Sequence, residues 1–429
     1  MTNKTTPTAT DSPFYDQLEI RDPQQREREL FAALPERIAH ARTQTPAFGE
    51  IMAAIDPAAI NSREALSRLP VTRKQQLFER QRSADTDVFG GFSAVGWRGL
   101  RAAGGARRVF QSPGPIYEPE GSAADYWRTA RAIHAAGFRR GDLLHNSFSY
   151  HLTPAGSMME CGAQAVGCTV FPGGVGNTEL QLQAIAELRT DGYVGTPSFL
   201  KILIEKAEQS GLSIDSLKKA LVSGEAFPPS LRDWLGERGI AAYQCYASAD
   251  LGLIAYETSA REGLVVDEGV IVEIVRPGTG IPVPDGEVGE LVVTTLNPDY
   301  PLIRFGTGDL SAVLPGQCPT GRTNRRIKGW MGRADQTAKV RGMFVHPEQI
   351  AEILRRHPEI GKGRLVISGE MANDQMRLRV EINESAEGMA TQIEDTMRDV
   401  TKLRGEVELC RPGSLPNDGK VIEDARSYD

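Results

Sequence analysis

The stretch "RFGTGDLSAV", Arg304 to Val313, decides the fold because it puts a carboxylate in a glycine turn at the end of a strand-like run. Glycine lets the backbone turn sharply there, and Asp309 then projects from the turn. A carboxylate has acceptor oxygens for both hydroxyls of a ribose. Gly-Asp is also an ordinary turn sequence, so this stretch alone leaves a plain turn open.

A second ordered set of polar residues follows about twenty positions later, in "GRADQTAKVRGMFVHPEQI", 332–350. Its members are Arg333, Asp335, Lys339, Arg341 and Gly342. Pro347 then stands at a position suited to the first turn of a helix. The order "TGD" followed by "GR.D...K.RG" is more specific than either motif by itself.

Composition indicates an ordinary globular protein of two domains. The chain has 429 residues, 40% hydrophobic and 24% charged, with a net charge of −7. That charge gives no basic field for nucleic acid or an anionic membrane. Five cysteines lack any C-x-x-C pair, which disfavours a disulfide framework or a structural zinc site. Residues 1–13 read as a loose polar tail without an export signal, so we expect a cytoplasmic protein.

Periodicity predicts an α/β fold. Residues 15–78 show helical spacing, and from Leu143 short apolar runs alternate with helical stretches, as in a parallel or mixed sheet flanked by helices. From Leu251 the pattern becomes Val/Ile/Leu runs between Pro-Gly and Asp-Gly turns, which predicts an antiparallel β-subdomain. After Gly332, two helices and two strands predict a small α+β domain. The predicted boundary separates domains 1–333 and 334–429.

Further motifs occur in the same linear order. They are "HNSFSYHLTPAG", "TVFPGG", "VGTPSFL" and "VSGEAFPPSLRDWL". With the two motifs above, residues 90–429 resemble the acyl-adenylate-forming superfamily, and most nearly its phenylacetate–CoA ligase branch. The resemblance implies a large adenylation domain of mixed sheets flanked by helices with an antiparallel β-subdomain. A small mobile α+β domain would act as its lid.

The resemblance also implies nucleotide-binding roles. Asp309 would hold the ribose diol, Arg333 the ribose or phosphate, and Gly224 and Glu225 the adenine. The implied ATP and AMP site comprises Ser112, Gly114, Ser223, Gly224, Glu225, Tyr246, Ala247, Asp309 and Arg333. Asp250 stands where the family has a magnesium-binding glutamate, and aspartate keeps the hard oxygen ligand that Mg²⁺ prefers. Loss of metal binding is the alternative.

Catalysis would depend on Lys420 in "SLPNDGKVIEDAR", which matches the family's mobile lysine. Its charge would stabilise the negative charge that develops at the α-phosphorus. Asp335 would be the hinge, with a plain interdomain loop as the alternative. Rotation there would bring Lys339, Arg341 and Gly342 to the site for coenzyme A.

The acid pocket matches least well. Its implied residues are Phe148, Tyr150, His151, Gly173 and Gly174. Ser149 and His151 replace small glycines of the family, which favours a compact or hydroxylated acid, whereas the family favours aryl acids. A core histidine with a structural role is equally consistent with the sequence.

The phosphate loop departs from the family as well. By position it is "FQSPGPIYEPEG", 110–121. Ser112 and Gly114 remain, while Pro113 and Pro115 stiffen the backbone and Glu118 brings negative charge where a lysine would help. We expect weaker phosphate binding here, leaving Mg²⁺ and Lys420 more of the charge neutralisation.

An ATP-dependent carboxylic acid–CoA ligase is therefore predicted, a homodimer by resemblance, with ATP, Mg²⁺, CoA and an acid as its partners. Acid and ATP would give acyl-AMP and pyrophosphate, and the CoA thiol would displace AMP. Transfer to an acceptor other than CoA, such as an amine, is one alternative. A non-catalytic binder of adenylates or CoA thioesters is another, although it would not need Lys420.

Overall fold

The computed structural model describes residues 12–83, 87–97, 104–334, 336, 338–340, 343–369, 375–383 and 388–426. Its helices are α1 (Pro23–Gln44), α2 (Pro46–Ile51), α3 (Arg63–Ser67), α4 (Lys74–Ser83), α5 (Ala130–Ala135), α6 (Ala155–Val166), α7 (Thr178–Leu188), α8 (Pro197–Ser210), α9 (Pro229–Glu237), α10 (Pro347–Arg356) and α11 (Met389–Thr401). Short 3₁₀ helices cover Gln17–Ile20 and Pro57–Ala59. No helix among the described residues is long and apolar enough to cross a membrane.

The strands lie mainly in the second half of the chain. They are β1 (Thr72–Arg73), β2 (Arg108–Ser112), β3 (Ile116–Glu120), β4 (Leu143–Asn146), β5 (Thr169–Pro172), β6 (Gly192–Gly195), β7 (Lys219–Val222), β8 (Ala241–Ser248), β9 (Gly252–Glu257), β10 (Leu264–Val266), β11 (Val270–Val275), β12 (Gly289–Thr295), β13 (Phe305–Ser311), β14 (Val313–Leu314), β15 (Arg326–Ile327), β16 (Ala338–Val340), β17 (Met343–Val345), β18 (Ile360–Ser368), β19 (Gln375–Ile382), β20 (Glu406–Cys410) and β21 (Ile422–Asp424). This mixture of helices and sheets confirms the predicted α/β class.

A nine-stranded sheet organises the first part of the chain, in the order β14-β15-β10-β9-β8-β7-β6-β4-β5. Strands β5, β4, β6, β7 and β8 are parallel neighbours in that order. Pairing becomes antiparallel between β8 and β9, and β10 continues it. Parallel strands need cover on both faces, and α6–α9 lie between them in the chain.

Helix α8 shows how the local sequence sets these elements. The Thr196 side chain accepts a hydrogen bond from the Phe199 N–H, and Pro197 occupies the first turn. Gly211 ends the helix with a left-handed φ of 70°. Its buried face, at helical spacing, consists of Leu200, Leu203, Ile204 and Ala207. The loop after β6 is therefore held by the cap and by this apolar face.

The chain divides into two compact units. One is 1–272, 293–305 and 314–329, and the other is 273–292, 306–313 and 330–429. The chain passes from one unit to the other within β11, β12 and β13. The second unit thus includes segments that precede the predicted boundary at residue 334, and that boundary stays a prediction.

The second unit has its own α+β core. Its sheet has the order β20-β19-β18-β21, and α10 and α11 pack on it. Fully buried apolar residues join them, among them Ile350, Ile353, Leu365, Leu378, Ile393 and Met397. The sequence predicts helices at 347–357 and 389–405 and strands at 364–368 and 376–383, and the structure has α10, α11, β18 and β19 at these places.

A buried ion-pair network holds the turn between β8 and β9. Arg128 Nε donates to Asp267 Oδ1 at 3.0 Å, and Arg131 donates to Oδ2 at 3.1 Å. The Arg128 guanidinium also donates to the carbonyl oxygens of Leu251 and Leu253. Asp267 has a fully buried side chain and joins the two guanidinium groups, and Arg131 also pairs with Asp16.

Replacing Asp267 with alanine should therefore lower the free energy of unfolding by about 3–5 kcal/mol, because it leaves the largely buried Arg128 guanidinium without a carboxylate partner. The exposed pair Arg189–Asp215, at 3.4 Å, is the matched control. Asp215→Ala should cost less than about 1 kcal/mol. Urea unfolding followed by circular dichroism gives both values, and equal losses in the two variants would contradict the assignment.

Candidate active site

The site segments of the first unit follow the carboxyl ends of parallel strands. Phe148 lies just beyond β4, Gly173 beyond β5, Thr196 beyond β6 and Ser223 beyond β7. Parallel strands end at one edge of the sheet, and ligands of open α/β sheets bind at that edge. The structure therefore brings together segments that are up to 75 positions apart in the chain, from Phe148 to Ser223.

Three residues of the predicted ATP and AMP site form the turn after β7, and two of them, Gly224 and Glu225, are the predicted adenine residues. The Ser223 hydroxyl donates to the Cys245 carbonyl at 2.8 Å, which ties the turn to β8. Gly224 has a φ of 82°, a conformation that favours glycine. Glu225 is exposed and accepts from the Ser198 N–H at 3.4 Å. The turn thus presents backbone and a carboxylate, while its serine hydroxyl is already bonded.

Aromatic rings and glycine backbone line the predicted acid pocket. A β-carbon on Gly224 would lie 3.8 Å from the Phe148 ring, and one on Gly174 would lie 3.9 Å from the Tyr150 ring. The Tyr150 hydroxyl accepts a hydrogen bond from the Asn146 amide at 2.8 Å. It also hydrogen-bonds Glu160, and burial together with this contact raises the Tyr150 pKa. The hydroxyl of Tyr150 is therefore occupied within the protein.

Ser149 and His151 are the two residues that favour a compact or hydroxylated acid over an aryl acid, and the Ser149 side chain hydrogen-bonds the His151 backbone. The Ser149 hydroxyl donates to the His151 carbonyl and accepts from the His151 N–H, both at 3.1 Å. His151 itself is exposed. His151 is therefore not the core histidine that the sequence left as the alternative, and its place in the acid pocket stays a prediction.

The predicted phosphate loop is a β-hairpin. Strands β2 and β3 pair from Arg108 opposite Glu120 to Ser112 opposite Ile116. Both donors of Ser112 point to one carboxylate, because Glu118 accepts from its N–H at 3.2 Å and from its hydroxyl. Glu118 is fully buried. Both hydrogen-bond donors of Ser112 thus have a partner within the hairpin. Glu118, which distinguishes this segment from the family's phosphate loop, is that partner.

Asp250 and Lys74 form an ion pair that the sequence motifs do not indicate. Lys74 Nζ lies 3.1 Å from Asp250 Oδ2, and the Asp250 carboxylate is buried while the lysine side chain is 42% exposed. The second oxygen, Oδ1, is buried and has no hydrogen-bond partner. Lys74 precedes Asp250 by 176 positions, so no local pattern signals the pair. This lysine supplies a positive charge that the predicted phosphate loop, 110–121, lacks.

Negative charges are concentrated around this pair. Burial and the charge of Asp250 raise the pKa of Glu118 to about 8. Burial and the same two carboxylates also raise the pKa of Tyr300, whose hydroxyl is buried with no hydrogen-bond partner among the described residues. The region therefore holds more acidic groups than the single positive charge of Lys74 can neutralise.

A divalent cation fits Asp250 chemically. Mg²⁺ is held in nucleotide sites by one or two carboxylates together with phosphate oxygens and water. Asp250 Oδ1, which has no hydrogen-bond partner among the described residues, could supply one such oxygen. Across the described part of the chain, no group of three or more His, Cys, Asp or Glu side chains could hold a metal without such help.

In the second unit, Asp309 and Arg333 lie side by side. Arg333 Nη1 is 2.8 Å from Asp309 Oδ1, and Trp330 Nε1 donates to the same oxygen at 3.2 Å. Gly308 has a φ of 72°, and a β-carbon there would lie 2.8 Å from the Arg333 guanidinium. The glycine of the "TGD" motif is thus needed so that the arginine can cross the turn.

Lys420 lies in a loop that Gln336 holds. The Gln336 amide donates to the Gly419 carbonyl at 3.0 Å and accepts from the Ile422 N–H at 2.9 Å. Lys420 is exposed. Gln336 was not singled out by the sequence motifs, although it directly follows the predicted hinge residue.

Some predicted residues lie outside the described part of the chain. They are the hinge residue Asp335 and two residues of the predicted CoA face, Arg341 and Gly342. Lys339 is described as part of β16, where its backbone pairs with Phe344 of β17.

Comparison with known proteins agrees with this geometry. The family model for the AMP-binding enzyme matches residues 128–297, and the one for its C-terminal domain matches 342–425. A phenylacetate–coenzyme A ligase of Thermus thermophilus is 30% identical over 83% of this chain and 82% of that protein. Another, of Aromatoleum evansii, is 29% identical over 88% of each chain.

Solved structures give the same result. An open conformation of 2-hydroxyisobutyryl-CoA ligase, in complex with 2-HIB-AMP and CoA, matches with a TM-score of 0.72. It is 26% identical and covers 96% of this chain and 94% of that one.

The fold and these matches define an adenylate-forming enzyme of the ligase class. The chain belongs to the AMP-binding enzyme family, as a relative of the phenylacetate–coenzyme A ligases. The resemblance predicted from the motifs is thereby confirmed.

Glu118 generates a pH prediction. Its pKa is about 8 in the folded protein and about 4.5 in an unfolded chain, so the unfolded state loses the proton first as pH rises. Its contribution to stability is therefore present below pH 4.5 and lost as pH rises through 8. Glu118→Gln has a side chain that is always neutral, so its stability relative to the wild type should increase between pH 5 and 8. The increase should be roughly 1.4 kcal/mol for each pH unit in this range.

Urea unfolding at pH 5, 6.5 and 8 measures that difference. Glu50 provides the control, because its exposed carboxylate pairs with Arg80, which lowers its pKa. Glu50→Gln should differ from the wild type by a constant amount over this range. A constant difference for Glu118→Gln as well would show that Glu118 is ionised in the folded protein.

Proposed function

We propose that the chain is an ATP-dependent carboxylic acid–CoA ligase. The acid carboxylate attacks the α-phosphorus of ATP, which forms acyl-AMP and releases pyrophosphate. The CoA thiolate then attacks the acyl carbonyl carbon and releases AMP. The observation that carries the proposal is the Asp309–Arg333 pair at 2.8 Å, in the motif assigned to the ribose.

Aryl acids are the proposed substrates. The Tyr150 and Ser149 hydroxyls near the pocket already have partners within the protein, since Tyr150 bonds Asn146 and Ser149 bonds the His151 backbone, while the His151 side chain is exposed. The surfaces that remain are the rings of Phe148 and Tyr150 and glycine backbone. A flat apolar substituent gains from such surfaces, whereas a hydroxyl buried there would lose its hydrogen bonds to water.

Exchange of radiolabelled pyrophosphate into ATP tests both statements. We expect exchange with phenylacetate or benzoate at a kcat/KM at least about tenfold above that with 2-hydroxyisobutyrate, a difference of about 1.4 kcal/mol in transition-state binding. A reversed order would refute the aryl preference. If ATP and acyl-AMP bind but no acid supports exchange, the ligase assignment is wrong. CoA, pantetheine and simple amines, compared by product mass, then identify the acceptor.

Lys420 is proposed to stabilise the adenylation transition state. The exposed ammonium, in the loop that Gln336 holds, would lie on the α-phosphate and the substrate carboxylate. Charge accumulates at that phosphate only as the new bond forms, so the lysine acts on the reaction rate more than on binding.

Lys420→Ala should lower the exchange rate at least about 100-fold, the usual loss when one charge-stabilising group is removed, with little change in the KM for ATP. Lys402, an exposed lysine beside Asp399 at 3.4 Å, is the control. Lys402→Ala should exchange at the wild-type rate. Full exchange in Lys420→Ala would remove the lysine from the first half-reaction.

Magnesium, a homodimeric state and a cytoplasmic location complete the proposal. Asp250 Oδ1, with no partner, supports a cation ligand, and Lys74 adds charge beside it. When bound, Mg²⁺ would neutralise the β- and γ-phosphates. The dimer and the location rest on family resemblance and on composition.

A further inference from the structure

Gln181 is the polar residue with the most complete set of partners behind the predicted acid pocket. It lies on α7, and its side chain is 3% exposed. Its amide nitrogen donates to the carbonyl oxygens of Gly174 at 2.9 Å and Gly176 at 2.6 Å. Its Oε1 contacts Ser147 Oγ and His145 Nε2, each at 2.8 Å. Two donors and two lone pairs are thus all in use.

The loop that Gln181 holds has little means of fixing its own shape. Glycines occupy 173, 174 and 176, and Gly174 and Gly176 have φ values of 69° and 75°. Val175 carries the only side chain from 173 to 176, and it is 57% exposed. Glycine has the greatest backbone freedom of all residues, so the loop conformation depends on bonds from outside it.

The same loop fits tightly against its support. A β-carbon on Gly173 would lie 2.7 Å from His145 Nε2 and 2.8 Å from Gln181 Oε1. On the other side, Gly174 faces the Tyr150 ring, and its N–H donates to the Asn146 carbonyl at 3.0 Å. A small displacement of Gln181 would therefore move the backbone that lies against the pocket ring.

His145 holds the amide in one orientation. Since Gln181 Oε1 only accepts, His145 Nε2 carries the proton and donates to it. Burial lowers the pKa of His145, which keeps the ring neutral, and the ring stacks on Phe171 with centroids 5.1 Å apart. Ser147, whose N–H donates to the Val194 carbonyl at 2.8 Å, provides the second fixed partner. The amide nitrogen is thereby directed at the loop carbonyls.

We propose that Gln181 is the positioning residue that sets the width of the acid pocket and so determines which acids the enzyme accepts. The proposal rests on the proposed function, because it needs 173–176 to be a wall of the acid pocket. Gln181 itself touches neither reacting atom. It acts through the backbone of Gly174 and Gly176.

Gln181→Met tests this, because methionine has a similar length and removes all four hydrogen bonds. The KM for phenylacetate in pyrophosphate exchange should rise about tenfold or more, and the KM for ATP should stay within about twofold. The order of preference among benzoate, phenylacetate and 3-phenylpropanoate should change as well. A purely structural loss would lower the active fraction for every acid equally and leave that order unchanged.

Gln183→Met is the matched control on the same helix. Gln183 is exposed, and its amide donates to Glu187 at 2.7 Å. This variant should keep the wild-type KM values and acid order. Ser147→Ala, which removes one of the four bonds, should raise the acid KM about threefold and remains informative if Gln181→Met does not fold.

Two outcomes would overturn the inference. In one, the acid KM and the acid order are unchanged in Gln181→Met, or in Ser147→Ala where the first variant is insoluble. In the other, the KM for ATP rises as much as that for the acid. The failure of the proposed function looks different, because the wild type itself would then support no exchange with any acid, and the inference would fall with it.

Discussion

Parallel pairing of five neighbouring strands is the constraint on which the first unit depends. Because β5, β4, β6, β7 and β8 run the same way, their carboxyl ends meet at one edge of the sheet. Backbone bonds continue the pairing past the strands, as where Ser147 N–H donates to Val194 and Ser223 N–H to Gly195. Loops that are distant in the chain become neighbours through this geometry.

Hydrogen bonds within the protein occupy most polar groups of the candidate site, and this limits what the site can bind. Glu118 takes both donors of Ser112, Asn146 and Glu160 take the Tyr150 hydroxyl, and Gln181 uses every hydrogen-bonding position that it has. Polar groups without partners are costly when buried, so they are bonded before a substrate arrives. Asp250 Oδ1 has no hydrogen-bond partner among the described residues, which is why it is the proposed contact for an outside ligand.

Much of this was predictable from local pattern. Helical spacing and turn residues predict the elements of the second unit, and the motif order predicts the family and the residues Asp309, Arg333 and Lys420. The hairpin was not predictable, because a Ser/Gly segment between prolines reads as a loop until Glu118 is seen to bond Ser112 across it. Nor was Lys74, since its partner lies 176 positions away.

By itself, then, the amino-acid sequence determined the α/β class and the family, because those depend on short ordered motifs and on periodicity, and it predicted the residues for ribose, phosphate and the reacting carboxylate. Tertiary structure alone decided that His151 is exposed, that Ser112 is bonded to a buried carboxylate, and that Gln181 supports the glycine loop. The physical reason is that a hydrogen bond or ion pair between distant residues exists only once the sheet has brought its loops together.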